Sequence, residues 1–108
     1  MKEGLTRISL KEGTVNFWLK PETIQWESEE ETPLFKAGSD EGSLVILKRG
    51  KVLEVFYGYI PLGTTTFSVS MESFKLTDPH LVTLTWNSEK KELLFYIDAT
   101  LVKQQAIL

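Results

Sequence analysis

Apolar and polar residues alternate with a period of two through most of this chain, which is the mark of strands buried on one face. From Gly13 to Lys20, Val15, Phe17 and Leu19 share one face while Asn16, Trp18 and Lys20 share the other. Pro21 has no amide hydrogen for a ladder and predicts the end of this strand. Residues Glu22 to Thr32 carry Glu27, Glu29, Glu30 and Glu31 without an apolar stripe, and read as a solvated loop. Leu34 to Ala37 reads as a short strand, and Gly38 to Gly42 as a turn. Ser43–Lys48 and Lys51–Tyr59 flank Arg49-Gly50, which predicts a hairpin with glycine at the strained position.

Pro61-Leu62-Gly63 breaks the pattern again. Thr65 to Met71 then sets Phe67, Val69 and Met71 against Thr66, Ser68 and Ser70. Glu72 to Pro79 reads as a connection that holds Phe74 and Leu76 against the core. His80 to Trp86 places Val82, Leu84 and Trp86 on one face, and Glu92 to Asp98 does the same with Leu93, Phe95 and Ile97. Asn87 to Lys91 is a polar turn between them, and a turn near Asp98-Ala99-Thr100 leads to a last strand from Leu101 to Ile107.

The sum is about eight or nine short strands with no convincing helix, which predicts an all-β, two-sheet antiparallel β-sandwich. The predicted core is Val15, Phe17, Leu19, Phe67, Val69, Val82, Leu84, Trp86, Phe95 and Ile97. At 108 residues the chain is expected to be one domain, spanning 1–108. An apolar share of 42% places it among folding chains rather than disordered ones.

Charge and cysteine usage narrow the chemistry. The chain has no cysteine, so disulfides and thiolate metal sites are excluded. A single histidine, His80, excludes any site that needs two imidazoles. The net charge of −3 comes without a basic stripe, which argues against nucleic acid as a partner. Lys48, Arg49 and Lys51 form the longest basic cluster and read as a solvated hairpin tip. No signal peptide and no apolar run of membrane-spanning length is visible, so no membrane partner is expected, and a full-length product of this sequence is expected in the cytoplasm. The weighting of charge towards glutamate and lysine leans to a thermophilic source.

Three blocks carry a family resemblance. Gly13-Thr14-Val15-Asn16-Phe17-Trp18-Leu19-Lys20-Pro21 resembles the first core strand of the concanavalin A-like lectin/glucanase superfamily, in its laminin G-like branch. His80-Leu81-Val82-Thr83-Leu84-Thr85-Trp86-Asn87 is similar to that family's strand opening on histidine. Leu94-Phe95-Tyr96-Ile97-Asp98 followed by Leu101-Val102 is similar to its Leu-Tyr-Val-Asp-Gly-x-Leu-Val hairpin. The resemblance covers residues 5 to 103 and implies a jelly-roll-like sandwich. Ala99 stands where the family has glycine, and Pro79 where it commonly has tryptophan. The chain is also short for the family, which implies missing edge strands and exposed sheet edges. Members include carbohydrate-binding modules, protein-binding modules and glucanases, so the fold leaves function to the site.

Glycoside hydrolysis needs two carboxylates facing one bond. Glu54 stands alone between Leu53 and Val55, and Glu92 and Asp98 sit at opposite ends of one strand, so no enzyme is expected. His80 lacks a nucleophile and reads as structural, its ring bonded to a backbone carbonyl. Asp40, Asp78 and Asp98 and glutamates 27 to 31 are the carboxylates that could bind calcium, but turn chemistry accounts for such aspartates, and no cofactor is expected. Recognition of a carbohydrate or a peptide on a sheet face uses exposed rings beside polar groups. Trp18, Asn16, Trp26, Tyr57 and Tyr59 are the candidate ligand-binding residues, against the alternative that these rings pack inside. Trp86 and Tyr96 are assigned to the fold.

The expectation is thus a non-catalytic binding module for carbohydrate or protein. The alternative is a structural or interaction domain that pairs through a sheet edge or an apolar face, with the final strand (Val102, Gln104, Ala106, Leu108) as the candidate edge. The oligomeric state stays open, with a slight lean to a monomer.

Overall fold

The computed structural model describes residues 6–7 and 9–107, with side chains from residue 9 onwards. Among the described residues nine strands form two sheets. They are β1 (Thr6–Arg7), β2 (Glu12–Leu19), β3 (Glu31–Ser39), β4 (Gly42–Arg49), β5 (Val52–Tyr59), β6 (Gly63–Ser70), β7 (His80–Asn87), β8 (Glu92–Ile97) and β9 (Thr100–Ala106). One sheet has the order β1-β3-β4-β5-β6 and the other β2-β7-β8-β9. Neighbours are antiparallel throughout except for the two-residue pairing of β1 with β3. The expected antiparallel sandwich is what forms.

Side chains of one parity fill the space between the sheets, because successive residues of a strand point to opposite faces. Leu44 and Ile46 of β4, Leu53, Val55 and Tyr57 of β5, and Phe67 of β6 are buried from one side. Val82, Leu84 and Trp86 of β7 with Leu93, Phe95 and Ile97 of β8 are buried from the other. Phe67 meets Phe95 edge to face at 5.6 Å between ring centres, and Phe17 stacks on Phe35 at 6.3 Å. Such pairs add about 0.5–1.5 kcal/mol to the burial of each ring. Val15, Phe17 and Val69 pack against this core from its margin, partly covered.

Two aromatic donors fasten the segment before β2. Tyr57 donates its hydroxyl to the carbonyl of Leu10, and Trp86 Nε1 donates to the carbonyl of Ser9 at 2.8 Å. Leu10 is buried completely as a result. Burial pushes the Tyr57 hydroxyl up to about 12, with the neighbouring Tyr59 adding to the shift.

Several sequence expectations are corrected here. Strand β3 runs over Glu31–Ser39 rather than Leu34 to Ala37, and its register shifts between Pro33 and Phe35, a bulge that hides the alternation. The stretch read as a solvated loop holds a 3-10 turn at Pro21–Thr23 and the buried Trp26. Lys48 is not solvated. It shares the inward parity of Leu44 and Ile46, is 1% exposed, and donates its ammonium to the carbonyls of Gln25 and, at 2.7 Å, Ser28. Arg49 and Lys51 do face solvent: Arg49 pairs with Glu31 and Glu54, and Lys51 with Glu27.

The turn between β8 and β9 keeps its left-handed form without glycine. Asp98 has φ 53° and Ala99 φ 68°. The left-handed region costs an L-residue roughly 1–2 kcal/mol, and glycine gives back part of that gain through its freer unfolded chain. Ala99→Gly is therefore expected to stabilise the fold by about 0.5–1 kcal/mol. A urea midpoint that rises at unchanged m-value is the expected readout, and a lowered midpoint contradicts the strain.

Candidate functional site

Strand β2 is an edge strand whose outward parity carries Thr14, Asn16 and Trp18. Register places Asn16 opposite Thr83 and Trp18 opposite Leu81, and β7 in turn sets Thr83 beside Tyr96 of β8. The outer face of the four-stranded sheet is thus a patch of threonines, an amide and rings. Trp18 is 56% exposed upon it. The exposed part of so large an indole forgoes about half of the ~1.5–3 kcal/mol that full burial of a large apolar side chain gives. A lone exposed ring is ordinary, but Trp18 is continuous with the apolar Pro21, Leu76 and Pro79, and a contiguous exposed patch is what marks a binding surface.

Beyond Trp18 the face runs into an open groove of about 980 Å³, lined by Trp18, Lys20, Pro21, Glu22, Leu76, Thr77 and Pro79. Pro21 ends β2 and turns the chain into the 3-10 turn, which supplies one wall. The connection before β7 supplies the other, through Leu76, Thr77 and Pro79. The lining is mainly apolar, with a cation and a carboxylate on one side and a hydroxyl on the other.

His80 holds the second wall. Its Nδ1 donates to Asp98 Oδ2 at 2.7 Å and its Nε2 to the carbonyl of Lys75 at 2.7 Å. Phe74 meets the ring edge to face. The bonded carbonyl lies one residue before Leu76 of the groove, so the ring fixes where that wall stands. Two acceptor partners require hydrogens on both nitrogens, which favours the imidazolium. Burial opposes the charge, but the bonds to Asp98 and to Lys75 and the charges of Asp98 and Asp78 outweigh it, and the pKa of His80 is raised. Asp98 is held below its ordinary value by the bond from His80 and by the amide of Leu81, which reaches Oδ1 at 2.9 Å.

These directions fix a pH window. The share of His80 is complete below about 6.5, the ordinary imidazole value, and is lost as pH rises through its raised folded pKa. The share of Asp98 is complete above about 3.9 and is lost as pH falls through its lowered pKa. The pair contributes fully between about pH 4 and 6.5. Asp98→Asn removes the charge and suits the left-handed turn. The stability gap between wild type and this variant should be wide near pH 5.5 and narrower near pH 9, by roughly the part that depends on the imidazolium. A gap that is the same at both pH values contradicts the assignment.

Of the five candidate ligand residues, Trp18 and Asn16 lie on the outer face, as their parity predicts. Trp26, Tyr57 and Tyr59 do not join them. They are buried, and Tyr57 and Tyr59 lean on one another inside the sandwich at 6.5 Å. Their parity with Leu53 and Val55 carries them inward, and the Tyr57 hydroxyl finds its acceptor there. The packed alternative describes these three rings. Tyr96, assigned to the fold, lies half-buried on the outer face beside Thr83. Its signal was in the alternation, since Phe95 and Ile97 point inward. Among the described residues no three of His, Cys, Asp and Glu converge as metal ligands would. No helix among them is long and apolar enough to cross a membrane.

No protein family's sequence profile matches the chain, and no curated protein matches it either. Solved structures do. The binding domain of botulinum neurotoxin serotype D aligns over 99% of this chain and 26% of its own, at 18% identity and a TM-score of 0.71. The receptor binding domain of the botulinum neurotoxin C/D mosaic serotype aligns over 91% of this chain and 25% of its own, at 19% identity and a TM-score of 0.70. The serotype D ligand binding domain in complex with N-acetylneuraminic acid aligns over 90% and 24%, at 20% identity and a TM-score of 0.68. The chain spans about a quarter of the length of each of these three. At such identities the likeness is one of fold, and the class it defines is the β-sandwich.

Proposed function

We propose that this chain is a non-catalytic binding module of the concanavalin A-like, laminin G-like kind, a single jelly-roll sandwich that takes a carbohydrate on the outer face of its four-stranded sheet. The observation that carries this reading is Trp18, more than half exposed where a sheet face rich in hydroxyls meets a groove. The indole serves as the stacking platform for the apolar face of a sugar ring. Asn16, Thr83 and Tyr96 on the sheet, with Lys20, Glu22 and Thr77 at the groove, offer donors and acceptors to its hydroxyls. Glu22 is the carboxylate of the groove lining, and it has no second carboxylate across from it in that lining. Hydrolysis of a glycosidic bond would need one. His80 has both nitrogens committed to structure. The solved neighbours lend support as binding domains, one of them holding N-acetylneuraminic acid, although the match covers only a quarter of each.

An amide-resolved NMR titration with pooled neutral and sialylated oligosaccharides tests the proposal. Saturable shifts at Trp18, Asn16, Thr83 and Tyr96 that vanish in Trp18→Ala are the expected result. Unchanged spectra at millimolar sugar remove the carbohydrate reading and leave the groove to other ligands.

A further inference from the structure

The sandwich has four edges among its described strands, and three of them are blunted. Strand β2 ends its sheet between Lys11-Glu12 and Lys20-Pro21. Strand β9 closes the other end of that sheet with a register shift between Phe95 and Tyr96 and with Lys103 in its middle. On the five-stranded sheet, β1 covers only Ala37 and Gly38 of β3, and the rest of β3 carries Glu31, Pro33, Lys36 and a bulge. Charges, prolines and bulges are how sheets prevent pairing with other chains.

Strand β6 has none of these. It reads Gly63-Thr64-Thr65-Thr66-Phe67-Ser68-Val69-Ser70, eight residues without a charge or a proline. Its register with β5 runs unbroken from Val52↔Ser70 to Tyr59↔Gly63. Among the described residues no strand pairs with its other side. A neutral edge of this length without a bulge presents a ready row of backbone donors and acceptors.

We infer that β6 is the interface between two copies of this chain, which pair antiparallel about a two-fold axis to join their five-stranded sheets. A second copy fits this edge because the strand is complementary to itself. An antiparallel two-fold pairs residues of like parity. It sets the outward row Thr64, Thr66, Ser68 and Ser70 against the same row of the partner, hydroxyl against hydroxyl. Such pairs are favourable in sheets, and no like charges are brought together. The same operation at β2, β9 or β3 has lysine, glutamate, proline or a bulge to accommodate. Phe56, 37% exposed, stands opposite Thr66 one strand in from the edge, so the partner strand extends the face that carries it. This inference stands apart from the carbohydrate reading, whose face belongs to the other sheet.

The test is sedimentation equilibrium of the full chain from micromolar to millimolar concentration, beside the double variant Thr66→Lys/Ser68→Lys. Both positions are exposed on the outer face, so the fold should persist, which circular dichroism verifies. Gln104→Lys on β9 is the control. The expected result is a concentration-dependent dimer in the wild type and the control, at least tenfold weakened in the double variant. Amide exchange at β6 should slow as the wild type is concentrated. A monomer throughout, or a dimer indifferent to the two lysines, overturns the inference. So does mass that grows beyond a dimer without slowing β6 exchange, because association then uses another surface.

Discussion

Alanine at position 42 is expected to cost the fold about 3–4 kcal/mol, the sum of an overpacked contact and a strained backbone. Gly42 stands where three strands meet, opposite Ser39 of β3 and Tyr59 of β5. Its φ of 148° lies where side chains are rarely tolerated. A Cβ there would collide with the carbonyl oxygen of Gly58, come within 2.8 Å of its carbonyl carbon, and press on Leu10 Cδ1 at 3.1 Å. The obstacle is mostly backbone, which cannot swing aside as a side chain does. Relief requires β4 and β5 to part at the point where Glu41 accepts the amide of Ile60 at 2.7 Å. Gly58→Ala is the matched comparison. Its Cβ would meet Thr64 Oγ1 at 3.6 Å and the carbonyl of Ser43 at 3.8 Å, ordinary contacts. That change should stay within about 1 kcal/mol. Urea denaturation of the two variants gives the difference directly. A loss below about 1 kcal/mol for Gly42→Ala would mean that the strands separate there at little cost.

The same parity that makes the sandwich legible also places the rings that function alone would set on the surface. Residues 53, 55, 57 and 59 alternate inward together, so Tyr57 and Tyr59 follow Leu53 and Val55 into the core. The rings are surface candidates because two tyrosines on one face can stack on a ligand, and burial needs an acceptor for each hydroxyl. The acceptor, the carbonyl of Leu10, is 47 residues away in the chain and has no local signature. Tyr96 is the mirror case, set outward by parity and overlooked because its neighbours build the core. The groove was not legible at all. It forms where the end of β2 and the 3-10 turn come against the connection before β7, and neither the turn nor the connection has a periodicity to read. The wall's position depends on a histidine bonded across to Asp98. Its second bond, to a backbone carbonyl, was foreseeable. Its carboxylate partner depended on a turn that holds its shape with Ala99 in place of glycine.

Lys48 shows how a charge can override a correct pattern, and its replacement carries the second large effect. Alternation assigns residues 44, 46 and 48 to the inner face, yet a lysine beside Arg49 reads as the tip of a solvated hairpin. The side chain keeps both rules at once. Its stem continues the core beyond Ile46, and its ammonium reaches under the connection between β2 and β3 to bind the carbonyls of Gln25 and Ser28. Each carbonyl also accepts one backbone amide, Gln25 from Ser28 at 3.1 Å and Ser28 from Gly50 at 3.1 Å, and the Lys48 ammonium is the donor that ties both of them to β4. The ammonium therefore clamps a segment that holds Trp26 inside the fold. Lys48→Met keeps the stem and removes the clamp. Hydrogen bonds to a charged group are worth about 1.5–3 kcal/mol, and a loss of about 2 kcal/mol is expected. Lys48→Ala should lose about 1–2 kcal/mol more, as the buried methylenes go too. Lys51→Met, which removes an exposed pair with Glu27 at 3.8 Å from the same hairpin, should change stability by less than about 0.5 kcal/mol. The Trp26 indole reports the mechanism apart from the energy. In Lys48→Met its N–H should exchange faster while that of Trp86, bonded to Ser9, is unchanged. If the two indoles respond alike, the loss is a general one, and the clamp is not what holds the connection in place.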